Sequence, residues 1–487
     1  MDVFDYIVFF GYLLGVTLFG ASFYKKNKTS SDFILGNKNI PSWVVGMSIF
    51  ATFVSSISYL ALPGSAYLSN WNAFVFSLSI PVASFLAVKV FVPLYRSVNS
   101  PSAYTFMENR FGPWARVYVS IFYLLTQLMR VGTILYLMGL TIHAIFEWNI
   151  VTIIVITGIA VMFYTILGGI QAVIWTDAIQ GIILIAGALV CAGYILSNMP
   201  EGPSQLFSIA IEQNKFSLGS FSLDLTKSTF WVVFIYGLCI NLQNYGIDQN
   251  YVQRYIIAKT DREAKLSAFF GGILYIPVCL IFLFIGTGLF AFYQSGAGIL
   301  PLELMDETKS DRIFPYFIVT ELPRGITGLM IASIFAAGMS TISTSFNSSA
   351  TVFFTDYYQR YFNTGASEKD AMRVLYISSF VIGIIGITIS ILMINVKSAL
   401  DTWWKLASIF SGGSLGLFLL GVFSKSKNVI GSVIGVILGL LVILWLTISP
   451  LLSDNAFGSQ FHTYLITVFG TATIFLVGFI FSLIYKK

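Results

Sequence analysis

Apolar runs of about twenty residues recur along the 487-residue chain, at 4–23, 42–68, 71–95, 114–146, 149–168, 174–198, 228–251, 266–293, 324–357, 372–396, 399–423, 428–452 and 463–485. A helix rises ~1.5 Å per residue, so each run is long enough to cross the ~30 Å hydrocarbon core of a bilayer. With 56% of residues hydrophobic and only 10% charged, the chain departs from soluble proteins, where charged residues make up about 25%. The expectation is an all-α integral membrane protein with 13 transmembrane helices in a single polytopic domain, 1–487, and the lipid bilayer as its surroundings. The first run is not read as a cleaved signal peptide, because Asp2 and Asp5 lead it and no positive segment precedes it.

Two histidines and three cysteines (Cys191, Cys239, Cys279) leave no material for a His/Cys metal site, and the cysteines lie far apart in apolar runs. The net charge of +5 comes from basic residues scattered at helix ends, a pattern of membrane topology rather than of nucleic-acid binding. An odd number of spans puts the termini on opposite sides. With the N-terminus outside, eighteen of the 27 Lys and Arg fall in cytoplasmic segments and seven in outer ones, while Lys89 and Arg130 remain within spans. The bias expects an N-out, C-in arrangement in the cell membrane. Lys89 is one to two turns from Arg96 and can snorkel to the inner surface. His143 reads as interfacial or packed, and Trp403 and Trp404 as an interface anchor.

Three runs are not simply apolar. The second carries Thr52, Ser55, Ser56 and Ser58 before Pro63-Gly64; the seventh carries Asn241, Gln243, Asn244, Asp248, Gln249 and Asn250; the ninth carries Ser340, Thr341, Ser343, Thr344 and Ser345. Polar groups at membrane depth need partners inside the protein or a water-filled cavity. Small residues could also serve helix–helix contact alone. In secondary transporters, paired interrupted helices mark the binding site. The second and seventh runs are five apart, so 42–198 and 228–423 read as two repeats of five helices, the second inverted in the membrane. The run at 4–23 is then an extra N-terminal helix, and 428–485 holds two C-terminal helices.

Hard cations such as sodium take oxygen ligands. Helical spacing places Ala337, Ser340, Thr341 and Thr344 on adjoining faces. A break near Ala51–Ser55 would free the carbonyls of Ala51 and Val54, completing an oxygen cage across two helices. The hydroxyls could instead bond back to carbonyls one turn earlier. Asp177 could be an acid complementing a helix N-terminus, or a second cation ligand facing Ser340, Ser343 and Thr344. Arg130 lies mid-span, 14 residues from Arg116, hence roughly 20 Å from the inner end and too deep to snorkel. It either pairs with a buried acid such as Asp248, or captures the carboxylate of an anionic small-molecule substrate.

The stretches Asp32-Phe33-Ile34-Leu35-Gly36-Asn37-Lys38, Trp175-Thr176-Asp177 with Gln180, Asp248-Gln249-Asn250 through Arg254, and Ala336-Ala337-Gly338-Met339-Ser340-Thr341-Ile342-Ser343 bring a family into view. In their order and spacing the chain resembles the sodium:solute symporter family over nearly its whole length, and within it the bacterial sialic acid symporters. The resemblance implies a leucine-transporter-type inverted repeat of five plus five helices. It implies one sodium held by Ala51, Val54, Ala337, Ser340 and Thr341, and a second held by Asp177, Ser340, Ser343 and Thr344. It implies that Arg130 grips a sugar carboxylate, with Ser55, Ser58 and Ser77 lining the pocket. Ser77 departs from the Gln of sialic acid relatives and the Glu of a galactose relative.

The function expected is sodium-coupled import of a carboxylated sugar, most closely sialic acid (N-acetylneuraminate), by alternating access. The alternative is the same machine carrying proline, pantothenate, a monocarboxylate or a neutral sugar. An integral-membrane enzyme would need clustered catalytic groups, which two distant histidines and few intramembrane acids do not supply. A sensor would carry a signalling module after the last helix, where this sequence ends at Lys486-Lys487, and a channel would pass current without saturable substrate dependence.

Overall fold

The computed structural model describes residues 2–36, 38–305, 310, 312–395, 412–424, 428–451 and 459–484, and within them the chain is helical with no strand. The helices that matter here are α1 (Val3–Ala21), the half-helices α2 (Ser42–Phe53) and α3 (Ser56–Leu68), α4 (Trp71–Val98) and α5 (Pro113–Phe146). They continue as α6 (Ile150–Ser197), α7 (Phe230–Ile247), α8 (Gln249–Ile257), α9 (Asp261–Gln294), α10 (Ile326–Val352) and α11 (Glu368–Leu392). The last are α12 (Gly412–Phe423), α13 (Val429–Ile448) and α14 (Leu465–Ile484). Among the described residues ten helices are long and apolar enough to cross a membrane, or eleven if the bent pair α2–α3 counts as one span. Trp403, Trp404, the first part of the run at 399–423, and Lys309, Lys397, Lys405, Lys425, Lys427, Lys486 and Lys487 lie outside the described residues.

The runs at 149–168 and 174–198 fall in α6, whose 48 residues at ~1.5 Å each are enough for two crossings of a bilayer core. Its continuity is broken at Gly169, with φ 56° and ψ −155°. A side chain there would meet Phe33 Cα at 3.0 Å, so the position demands glycine on both conformation and space. Asn27 donates to the Leu167 carbonyl at 3.0 Å, satisfying an acceptor left over at the break.

The second run breaks where its sequence turns polar. α2 ends at Phe53; Val54 (φ −90°, ψ 119°) and Ser55 (φ −111°, ψ 169°) are extended; α3 then leaves at a 54° bend. Ser55 caps the new helix by accepting the Ser58 amide at 3.4 Å. The seventh run breaks at Asp248 (φ −74°, ψ 121°), which caps α8 by accepting the Asn250 amide at 2.8 Å. A short hydroxyl or carboxylate side chain offers the backbone an alternative to the helical ladder, which is why both halved helices restart at such residues.

The centre of the bundle is α10. The most apolar window of Ile326–Phe362 is 89% buried, whereas the other candidate spans are 22–50% buried, leaving those as the lipid-facing shell. Several buried hydroxyls of α10 are satisfied within it: Ser345, Ser348 and Thr351 donate to the carbonyls of Thr341, Thr344 and Asn347 at 2.7–2.9 Å. Its N-terminus is capped from outside. Asp5 of α1, 2% exposed, accepts the amides of Gly325 and Gly328 at 2.7 and 3.1 Å. At the opposite end, Arg116 bonds Asp356 and Glu108, and Arg360 also bonds Glu108, tying α5 to the continuation of α10. These two arginines hold the Glu108 carboxyl below its ordinary range.

Candidate cation and anion sites at the broken helix

Where α2 stops, its last carbonyls lose the amides a continuing helix would supply. Two neighbours in sequence are used differently. The Ala51 carbonyl accepts from Ser340 Oγ at 3.3 Å, bridging to α10. The Thr52 carbonyl faces Arg130 Nη2 at 3.5 Å, on the side of α5. Adjacent residues on a helix point ~100° apart, so one helix end presents oxygen to a hydroxyl of α10 and to a guanidinium at once.

Ala337 completes the cluster: its carbonyl accepts from Ser340 Oγ at 3.1 Å and Thr341 Oγ1 at 3.2 Å. Ala51, Ala337, Ser340 and Thr341 are thus brought together, each no more than 1% exposed, and Val54 is fully buried in the extended turn beside them. Back-bonding and clustering coexist. The hydroxyls lean on carbonyls of their own helix, and Ser340 also reaches the other helix. The hydroxyls and carbonyls gathered here are oxygen donors, the set a small hard cation takes.

Asp177, in α6, is fully buried. Its Oδ2 accepts from Ser48 Oγ at 2.6 Å, Thr344 Oγ1 at 3.3 Å and Arg254 Nη2 at 2.8 Å. The same Nη2 lies 2.8 Å from Thr344 Oγ1, and Arg254 Nε donates to Ser48 Oγ at 2.7 Å. Asp177 Oδ1 is buried with no hydrogen-bond partner among the described residues. An orphaned carboxylate oxygen is the kind of buried acceptor a cation satisfies. Of the α10 residues expected at a second site, Thr344 bonds Asp177, while Ser343 donates to the Ser340 carbonyl of its own helix at 3.1 Å.

The ion pair corrects the sequence reading at one point. Charge bias alone counts Arg254 among the cytoplasmic charges that set topology, yet it is wholly buried and pairs with Asp177. Sequence reasoning also misses Ser48, and Asn250, whose carbonyl accepts from Arg254. A signal was available: Arg254 closes a stretch in which Gln249, Asn250 and Gln253 repeat on one turn of helix, and all three are fully buried.

Arg130 forms no ion pair within 4 Å among the described residues. Asp248 and the rings of Tyr123 and Tyr251 stand close enough to feel its charge, but the permanent pair with Asp248 weighed from the sequence is not formed. The side chain is half-buried, and its one hydrogen bond among the described residues, to Thr52, is long. Its fork of donors therefore remains available for a planar anion.

Ser55, 8% exposed, sits at the break itself, with Ser58 one turn on beside Tyr275. Phe53 at the end of α2 packs on Tyr245, Tyr251 and Tyr275, forming an aromatic wall. Ser77 is placed differently: fully buried in α4 and near Cys279 of α9, its hydroxyl lacks a hydrogen-bond partner among the described residues. Lys89 and His143 are exposed.

Oxygen donors gathered beside an arginine with no ion pair among the described residues, both at a helix broken inside an apolar bundle, are features a secondary transporter would use. The chain belongs to the sodium:solute symporter family, whose model matches residues 33–439. It is 33% identical over 478 residues to the sodium/sialic acid symporter SiaT of Proteus mirabilis, covering 97% of this chain and 94% of that one. It is 31% identical over 487 residues to the sodium/sialic acid symporter NanT of Aliivibrio fischeri, covering 99% and 94%. A Na+-coupled sialic acid symporter solved substrate-bound and outward-open, with a novel Na+ site, superimposes with TM-score 0.92 at 32% identity, over 99% of this chain and 98% of that one.

Proposed function

We propose that this chain imports sialic acid by sodium-coupled alternating access, through the sites described at the end of α2. The observation that carries this reading is the pair of adjacent carbonyls, Ala51 turned to Ser340 and Thr52 turned to Arg130. Sodium taken by Ala51, Val54, Ala337, Ser340 and Thr341 fixes the broken end of α2 against α10. The next carbonyl then holds Arg130 oriented toward the substrate. Cation binding thereby favours the arrangement that captures the carboxylate, a population shift driven by differential affinity. Ser55 and Ser58 supply hydroxyls to the sugar, and Ser77, enclosed near Cys279 of α9, lines the buried end of the pocket. The orphaned Asp177 oxygen, with Ser340, Ser343 and Thr344, takes a second sodium.

The full reading has 13 spans: α6 counts as two on either side of Gly169, and α12 is the visible part of another. Residues 42–198 and 228–423 are inverted repeats, each opening on a helix broken at a capping residue, Ser55 or Asp248. The residues at 4–23 and 428–485 flank them in one domain, with the N-terminus outside and the C-terminus inside. Each sodium gains about 2.3 kcal/mol per 100 mV of membrane potential, so two sodium ions with one monovalent anion move net charge inward. A second cargo of the same charge that Arg130 would hold is a monocarboxylate.

The test is uptake of labelled N-acetylneuraminate into proteoliposomes under a sodium or choline gradient, with proline, galactose and lactate as competitors. Uptake is expected only with sodium, unaffected by proline and galactose, and abolished by Arg130→Ala. Uptake indifferent to sodium, or an Arg130→Ala protein that still carries sialate, would overturn the reading; full competition by lactate would favour the monocarboxylate.

A further inference from the structure

A cavity of about 930 Å³ opens between the end of α1 and the start of α11, lined by none of the residues at the broken helix. Its lining includes Lys25, Lys28, Lys369 and Arg373, all exposed, with Glu368 and Tyr376. None of the four cations has an ion pair among the described residues. The neighbouring acids are engaged elsewhere. Glu368 accepts the amide and hydroxyl of Ser30 at 2.8 and 3.2 Å. Asp32 accepts the backbone amides of Lys28 and Thr29 at 3.3 and 3.1 Å, and Asp370 accepts the Ser367 hydroxyl at 2.7 Å. Four cations therefore share one cleft with a single carboxylate that none of them reaches.

The cleft is continuous with a surface meant for hydrocarbon. Tyr24 is 57% exposed at one lip and Ile377 51% at the other, and Phe380, Val381 and Ile384 continue the exposed apolar face up α11. The Lys and Arg bias assigns this end of the bundle to the cytoplasmic leaflet. We propose that the cleft is a binding site for an anionic glycerophospholipid of that leaflet: Lys25, Lys28, Lys369 and Arg373 hold the phosphate, and the acyl chains run along α11. A basic pocket between helices at the membrane surface recognises such head groups. The apolar lip gives nothing to a free phosphate ion, the other source of the same chemistry. The lipid bridges α1 to α11, two helices that both pack on α6.

Native mass spectrometry of the full-length transporter in neutral detergent tests this, with dioleoylphosphatidylglycerol, dioleoylphosphatidylcholine and inorganic phosphate as probes. The phosphatidylglycerol is expected to be retained in preference, and Lys25→Gln/Arg373→Gln to lower its retention about tenfold or more. Lys259→Gln/Arg262→Gln, which removes the same charge from another exposed part of the chain, is expected to leave retention unchanged. Equal loss in both double variants, equal retention of the two lipids, or full displacement of lipid by millimolar phosphate would each overturn the proposal.

Discussion

Breaking the pair between Arg254 and Asp177 is the perturbation whose size follows most directly from the geometry. Both side chains are 0% exposed, and the Nη2–Oδ2 distance is 2.8 Å. Removing one member strands a charge that water does not reach, at a cost of ~3–5 kcal/mol, whereas replacing both with neutral groups of similar volume is often close to neutral. Arg254→Met and Asp177→Asn are each expected to destabilise by that amount. The double variant is expected to recover most of it, with a coupling energy on the order of 3 kcal/mol. The candidate second sodium site adds a sharper expectation. In Arg254→Met the stranded carboxylate keeps its orphaned Oδ1 and its hydroxyl neighbours, so sodium replaces the lost guanidinium. Sodium at a hundred times its dissociation constant restores ~2.7 kcal/mol. Thermal unfolding in detergent, in sodium against choline chloride, reads both quantities. Additive losses in the double variant, or equal sodium stabilisation of wild type and Arg254→Met, would refute the reasoning.

Ser340→Ala is expected to weaken sodium stabilisation of the folded protein tenfold or more in apparent affinity, because it removes the hydroxyl shared by α10 and the Ala51 carbonyl; sodium-titrated melting curves measure it. Asp5→Ala removes an N-terminal cap from α10 and is expected to cost ~1–2 kcal/mol in unfolding experiments, with Asp5→Asn recovering part. Lys215 donates to the Tyr67 carbonyl at 2.6 Å over the Phe290 ring, and burial lowers its ammonium to about 8. Its folded pKa lies below the unfolded value of ~10.4, so between those limits the unfolded chain binds more protons and stability rises with pH. Melting temperatures of wild type relative to Lys215→Met are expected to climb from pH 8 to pH 10; a flat difference would contradict the burial.

Much of the candidate site was legible because its chemistry is anomalous where it lies. Ser340, Thr341 and Thr344 in an apolar run, and Arg130 mid-span, are costly residues in hydrocarbon, and cost of that kind needs a compensating contact. The break at Val54–Ser55 was legible for a related reason, since serine is a favoured helix cap and Ser55 stands where the apolar run turns polar. Arg254 was not, because a basic residue at the end of an apolar run looks the same whether it faces the cytoplasm or turns inward. Asp5 reads in the sequence only as an argument against a signal peptide, and its partner amides at Gly325 and Gly328 are more than 300 residues away.

Local composition and periodicity by themselves determined that the chain is a helical membrane protein, which of its helices are interrupted, and which side chains cannot be left to lipid. These are properties of ten to thirty neighbouring residues, and transfer from water to hydrocarbon acts on each segment separately. Tertiary structure alone decided which charge meets which: Asp177 with Arg254, Arg130 with a carbonyl and not with Asp248. Pairing across helices depends on the rotation and depth at which separate spans pack, and a difference of ~100° about one helix axis sends neighbouring carbonyls to different partners.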